Sequence, residues 1–309
     1  MKTATGNRYY LLFILFFVGG VAMYWRAKAG VFTFDPLDWV RPFDELGIKG
    51  LLVNFRDISV RPFLLLVTYF GYACFGLNET AALIFCVALH AFNATMIAWF
   101  VNRMLPEKEN VLGILAGLIF LFLPYQTEVV VWGVGNLYAI TLALFWGMLW
   151  SIIQYEDTNK KPFLYTHVVF FILAIFTHEL AFVFPFAVFF LILLLFPAEK
   201  RKALLTLEVL LVFVFLPLYL VINKIVLGVW VGHYGIEKHT QIHIQQIAAT
   251  YISYWFKFLL LTNWWEPHWR DACYQFIEQH VLRSAALLIA VGGLWLWFAR
   301  KSATLKLSL

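Results

Sequence analysis

Acids and arginines are gathered in one short stretch of this chain, between Arg26 and Pro62: RAKAGVFTFDPLDWVRPFDELGIKGLLVNFRDISVRP. It holds Asp35, Asp38, Asp44, Glu45 and Asp57 together with Arg26, Arg41, Arg56 and Arg61. An ionised carboxylate within hydrogen-bond reach of a hydroxyl can take its proton as that oxygen attacks. A guanidinium nearby can stabilise a leaving group that departs with negative charge. Asp35 and Asp38 are the candidate bases, and Arg56 and Arg61 the candidate anion partners. Further along, Glu128 and the His178-Glu179 pair stand in short polar turns between apolar runs, where they can join the same site. Each residue also has a plainer role. Asp35 and Asp38 suit helix caps, Arg61-Pro62 suits a helix start, and Glu128 and Glu179 suit ion pairs. His90, inside an apolar run, fits a hydrogen bond between helices. Trp132, Asn136 and Tyr138 fit packing and interface anchoring. His239 and His243 are spaced i, i+4 but lack a firm third ligand, so no metal site is assigned there.

The elements that position these residues follow from composition. The 309 residues are 62% hydrophobic, 19% aromatic and only 13% charged, with a mean hydropathy of +0.79. A soluble domain carries about 25% charged residues. The composition therefore implies a multi-pass membrane protein, all-α in fold class, with its charges confined to turns and ends. The net charge of +5 fits Lys and Arg at cytoplasmic ends and anionic lipid, and requires no nucleic acid. Cys74, Cys86 and Cys273 form no CxxC, which argues against a disulfide framework or a thiolate metal site. No glycine-rich phosphate loop, zinc-protease helix or short repeat is present.

Hydropathy places about eight spans, near 9–25, 80–101, 111–125, 131–155, 163–176, 181–196, 204–222 and 284–299. The first has a signal peptide as its rival, because Ala27-Lys28-Ala29 resembles a cleavage site. Residues 61–76 and 247–262 are too short to cross, and their aromatic edges predict helices lying along the interface. Arg8, Arg103, Lys160-Lys161 and Lys200-Arg201-Lys202 fall on one side of this layout, which the positive-inside rule makes cytoplasmic. The loop 26–60 and a second region, 223–283, then face outward. Both termini fall on the cytoplasmic side, within a single membrane domain spanning 1–309.

Four stretches, in order, carry a family likeness. They are the acidic outward loop with Asp35 and Asp38-Trp39; RPFLLLVTYFGYACFGLNETAALIFCVALHAFNATMIAWFVNRML at 61–105; FLPYQTEVVVWGVGNLYAITLALF at 122–145; and FTHELAFVFPFAVFFLILLLF at 176–196. Together they resemble the integral-membrane GT-C glycosyltransferases, in particular the protein O-mannosyltransferase-like branch and its bacterial relatives. The resemblance covers roughly the first two-thirds of the chain. It implies a GT-C-like fold in a bacterial inner membrane and a polyprenyl-phosphate-linked sugar as donor. A monosaccharide would pass, with inversion, to an acceptor on the outer face. On that likeness Asp35 or Asp38 is the base, while Arg56, Arg61, Glu128, His178 and Glu179 hold the donor and its phosphate. A divalent metal is left open, since the class has members of both kinds. Two departures stand out: the acidic pair is split as Asp35-Pro36-Leu37-Asp38, and the family's Lys-Glu turn is His178-Glu179. A non-catalytic GT-C-like subunit and a lipid-linked glycan transporter are the alternatives. The transporter should show pseudo-repeated halves, which are not visible.

Overall fold

The computed structural model describes residues 4–31, 35–51, 60–105, 111–123, 127–131, 136–228, 230, 244–260, 262 and 265–301. Among them there is helix and turn but no strand. The chain divides into two compact units, Met1–His233 and Tyr234–Leu309.

The first unit begins with α1 (Ala4–Tyr24), continued by a 3-10 turn, Trp25–Gly30. Then come α2 (Asp35–Leu46), α3 (Pro62–Phe75), α4 (Glu79–Met104), α5 (Val111–Phe122) and the short α6 (Thr127–Val131). α7 (Asn136–Thr158), α8 (Pro162–Ile175), α9 (Phe184–Leu195), α10 (Ala198–Leu204) and α11 (Leu207–Leu227) complete it. Four helices among the described residues are long and apolar enough to cross a membrane: Arg8–Gly30, Glu79–Met104, Asn136–Thr158 and Leu207–Leu227. Pro62–Phe75, Val111–Phe122, Pro162–Ile175, Glu179–Leu195 and Val281–Val291 are apolar but shorter. The chain is thus all-α and of membrane type.

Helix ends follow local chemistry. Asn78 caps α4 by accepting from the Ala81 N–H, with Glu79 in the first turn and Arg103 in the last. Thr206 caps α11 in the same way, and Gly228, at φ 76°, closes it in the left-handed conformation that favours glycine. That closure carries α11 five residues beyond the end at 222 read from hydropathy. Asn223 and Lys224 are polar, but the Gly228 N–H bonds back to the Lys224 carbonyl and Lys224 Nζ donates to the Gly228 carbonyl at 2.6 Å, closing the helix beyond them. The region taken to start outward at 223 therefore opens with the last turn of α11, in which Asn223 is buried and Lys224, Ile225 and Val226 are exposed.

α2 is the second difference. The stretch expected as a surface loop folds from Asp35 to Leu46 as a helix. Val40 and Phe43 are buried, and the Phe43 ring meets Tyr69 of α3 edge-on with centroids 5.5 Å apart. The Tyr72 hydroxyl of α3 donates to Asp44.

Inside the bundle, polar side chains find backbone partners. Thr95, Thr141, Ser151 and Thr177 each donate to the carbonyl four residues back. His90 donates to the Leu121 carbonyl at 3.2 Å, as does the Tyr24 hydroxyl at 3.4 Å. Leu121 lies in the last turn of α5, where carbonyls have no helical partner. His90 thus makes the interhelical bond read for it.

α5 packs on α4 through two glycines one turn apart. A Cβ on Gly113 would come to 2.5 Å from the Ala98 carbonyl, and one on Gly117 to 2.8 Å from that of Ala94. Backbone cannot yield there as a side chain can. Gly113→Val and Gly117→Val should each cost about 1–3 kcal/mol. Gly71→Ala in α3, where nothing lies within 4 Å, should leave the thermal midpoint of the detergent-solubilised protein unchanged. Equal midpoints for all three variants would contradict the packing.

The second unit contains α12 (Ile244–Leu260), α13 (Pro267–Gln279) and α14 (Val281–Lys301). Its small core is Ala249, Ile252, Ile277 and Val281. Lys257 stands over the Tyr254 and Tyr274 rings at 5.1 and 5.6 Å. Trp255, Trp265 and Trp269 are exposed, the aromatic pattern of a membrane interface.

Candidate functional site

Ionic clusters mark both ends of the α7–α8 hairpin. At one end Glu156 pairs with Lys200 and Arg103, and Arg103 also pairs with Asp157. Lys160 and Lys161 follow in the same turn, so Arg103, Lys160-Lys161 and Lys200, grouped by charge counting, share this end. The opposite end is roughly 27 Å away along α7, at 1.5 Å per residue from Tyr138 to Glu156. There the candidate site is built.

It starts from a turn. α8 stops at Ile175, and His178 adopts an extended conformation, φ −161° and ψ 145°. Its Nδ1 accepts from the Leu180 N–H at 3.0 Å and caps the 3-10 turn Glu179–Val183, which runs into α9. The Phe63 N–H of α3 donates to the Phe176 carbonyl at 3.2 Å, tying the start of α3 to this turn. That bond brings Arg61, the residue before Pro62, to Glu179. Nη2 of Arg61 donates to Oε2 at 2.6 Å and Nε to Oε1 at 3.4 Å, a two-pronged contact. The side chains are 11% and 20% exposed, so the pair is largely removed from water. The Tyr219 hydroxyl of α11 donates to Oε1 of Glu179 at 3.2 Å. Tyr219 is itself buried between Phe176 and Phe182. One turn on, the buried Asn223 donates to the Tyr219 oxygen and lies 3.5 Å from the Trp230 carbonyl, while its Oδ1 has no partner. The Tyr138 ring, at the start of α7, lies 5.0 Å from that of His178.

Electrostatics fix the charge states. Burial would raise the Glu179 carboxyl, but the Arg61 charge and hydrogen bond outweigh it and hold Glu179 below the usual carboxylate range. Burial, aided by Arg61 and opposed by Glu179, pulls His178 down to about 4. Its Nδ1 is occupied as an acceptor, so the neutral ring carries its proton on Nε2, 3.9 Å from Glu179. Both shifts have the same consequence. The unfolded chain binds more protons than the folded one between the unfolded and folded pKa values. For His178 that window runs from the ordinary imidazole value of 6.5 down to about 4, so stability falls as pH falls through it. Glu179 adds to the loss below the ordinary carboxylate value of 4.5. Thermal melts of His178→Asn should show a shallower decline over that window than wild type; parallel curves would contradict the assignment.

The other residues singled out fare differently. Asp35 and Asp38 lie on the first turn of α2, and Glu128 on α6, but their side chains lie outside the described residues. Arg56, Trp132, His239 and His243 lie outside them altogether. Tyr219 and Asn223 were not singled out from the sequence. Two polar residues one turn apart in an apolar helix were the available signal. Among the described residues no group of three His, Cys, Asp or Glu is placed to hold a metal ion, and Glu179 is already engaged by Arg61 and Tyr219.

No family model, curated protein or solved structure matches the chain.

Proposed function

We propose that this protein is a GT-C type glycosyltransferase of a bacterial inner membrane. It moves a monosaccharide from a polyprenyl-phosphate donor to an acceptor on the outer face, and its basic rim and both termini face the cytoplasm. The observation that carries this reading is the Arg61–Glu179–Tyr219 constellation at the end of the α7–α8 hairpin away from the basic rim. A chain this poor in charge has placed an ion pair, a tyrosine and a histidine together at the rim of an apolar bundle. Such groups are costly there unless paired or functional. The helix bearing Asp35 and Asp38 packs on α3, and Arg61 immediately precedes that helix.

In the proposed reaction Asp35 or Asp38 accepts the proton of the acceptor hydroxyl. The oxygen forms a bond to the anomeric carbon from the face opposite the lipid phosphate. The bond from that carbon to the phosphate oxygen breaks, the phosphate leaves with its electron pair, and the anomeric configuration inverts. No described donor set fits a divalent metal, and no step is routed through one.

A second reading has an observation in its favour. Arg61 and Glu179 satisfy one another, as a purely structural pair would, which suits a non-catalytic subunit of the same fold. Purified protein in proteoliposomes, supplied with radiolabelled polyprenyl-phosphate hexoses and a membrane extract as acceptor source, separates the two. The enzyme releases polyprenyl phosphate and labels an acceptor; the subunit does neither.

A further inference from the structure

The described constellation has no net charge. Arg61 is matched by Glu179, and His178, whose Nδ1 accepts from the Leu180 N–H, is a neutral imidazole. A phosphate drawn to Arg61 would stand nearly as close to the Glu179 carboxylate, so attraction and repulsion largely cancel. A neutral polyol meets no such conflict. Its hydroxyls can donate to the carboxylate and accept from the guanidinium N–H groups left over from the ion pair and from the His178 Nε2–H. Beside them the Tyr138 ring, 40% exposed, offers a flat face 5.0 Å from the His178 ring. Behind the carboxylate, the Tyr219 hydroxyl and the fully buried Asn223 amide hold Glu179 from α11.

We propose that this constellation is the monosaccharide subsite. Glu179, Arg61 and His178 recognise hydroxyls of a hexose, the Tyr138 ring lies against its C–H face, and the lipid phosphate is bound elsewhere. The assignment rests on the donor reading above and reverses the role given to these residues by family likeness. Tyr219 and Asn223 are positioning residues that fix the carboxylate.

The test is equilibrium binding to the full chain in nanodiscs. One probe is undecaprenyl phosphate without sugar; the others are undecaprenyl-phosphate glucose, mannose and galactose. In wild type at least one sugared lipid should bind more tightly than the bare phosphate. Tyr138→Ala, a change at an exposed ring, should weaken that lipid about fivefold, the scale of a lost aromatic contact, and leave the bare phosphate unchanged. Glu179→Gln should weaken the sugared lipid but tighten the bare phosphate, because Arg61 is then uncompensated. If Glu179→Gln does not fold, the Tyr138→Ala comparison stands alone. Equal weakening of both probes would place the phosphate here and overturn the subsite. So would a wild type that binds all four probes equally. Binding of none of them would overturn the donor reading itself.

Discussion

Asp35→Asn and Asp38→Asn, combined, are expected to lower sugar transfer about 10²–10⁴-fold, the usual cost of removing a general base. Asn keeps the size and hydrogen-bonding reach of Asp but cannot accept the proton. Both positions lie on the first turn of α2. An ionised Asp needs no raised pKa for this chemistry, because the acceptor hydroxyl becomes acidic only as its bond to carbon forms. The loss should therefore appear in kcat, with donor affinity little changed. The helix is held against α3 by Phe43 and Asp44, in its last turn, so the substitutions should leave the fold intact. One single variant should reproduce most of the loss and identify the base. Rates within twofold of wild type for both singles and the double would remove the catalytic role.

Breaking the Arg61–Glu179 pair should have the largest effect on stability. Arg61→Met or Glu179→Leu alone leaves a largely buried charge without its partner, at about 3–5 kcal/mol. The double variant leaves none, and replacing a buried pair by apolar residues is often neutral. Thermal midpoints should therefore be low for each single change and recover in the double. Tyr219 complicates the recovery slightly, since its hydroxyl loses the Glu179 acceptor. The double variant also separates a site from a brace. A brace is fully replaced by packing, so donor binding would return with stability. A recognition site does not return, and the stable double variant should fail to bind the sugared lipid. A midpoint that stays low in the double variant would contradict the simple ion-pair account.

The long apolar helices were legible because hydropathy acts locally. Glu79–Met104, Asn136–Thr158 and Leu207–Leu227 each announce themselves by composition, and their ends by Asn78, Thr206 and Gly228. α2 was not legible as a helix. Its gathered acids and arginines read as a surface loop, and it was Phe43 meeting Tyr69 of α3 that revealed how the helix is held. Arg61 and Glu179 were each visible as costly charges beside apolar runs, yet their pairing spans 118 residues and leaves no trace in either neighbourhood. Tyr219 and Asn223 were hidden for a related reason. Asn223 and Lys224 looked like the end of a span, and only the Gly228 cap and the burial of Asn223 beside Tyr219 show that the helix continues there. Periodicity reports which face of a helix is apolar. It does not report which distant polar group that face will meet.

The claim on which all of this rests is that the turn at 176–180 and the start of α3 receive a lipid-linked sugar. Photo-cross-linking tests it most directly, using an undecaprenyl-phosphate hexose that carries a diazirine on the sugar. The account predicts labelling of peptides containing Arg61–Phe63 and Phe176–Leu180, abolished by excess unlabelled donor and reduced by Tyr138→Ala. Labelling confined to lipid-facing residues of α5 and α9, and indifferent to competitor, would contradict it.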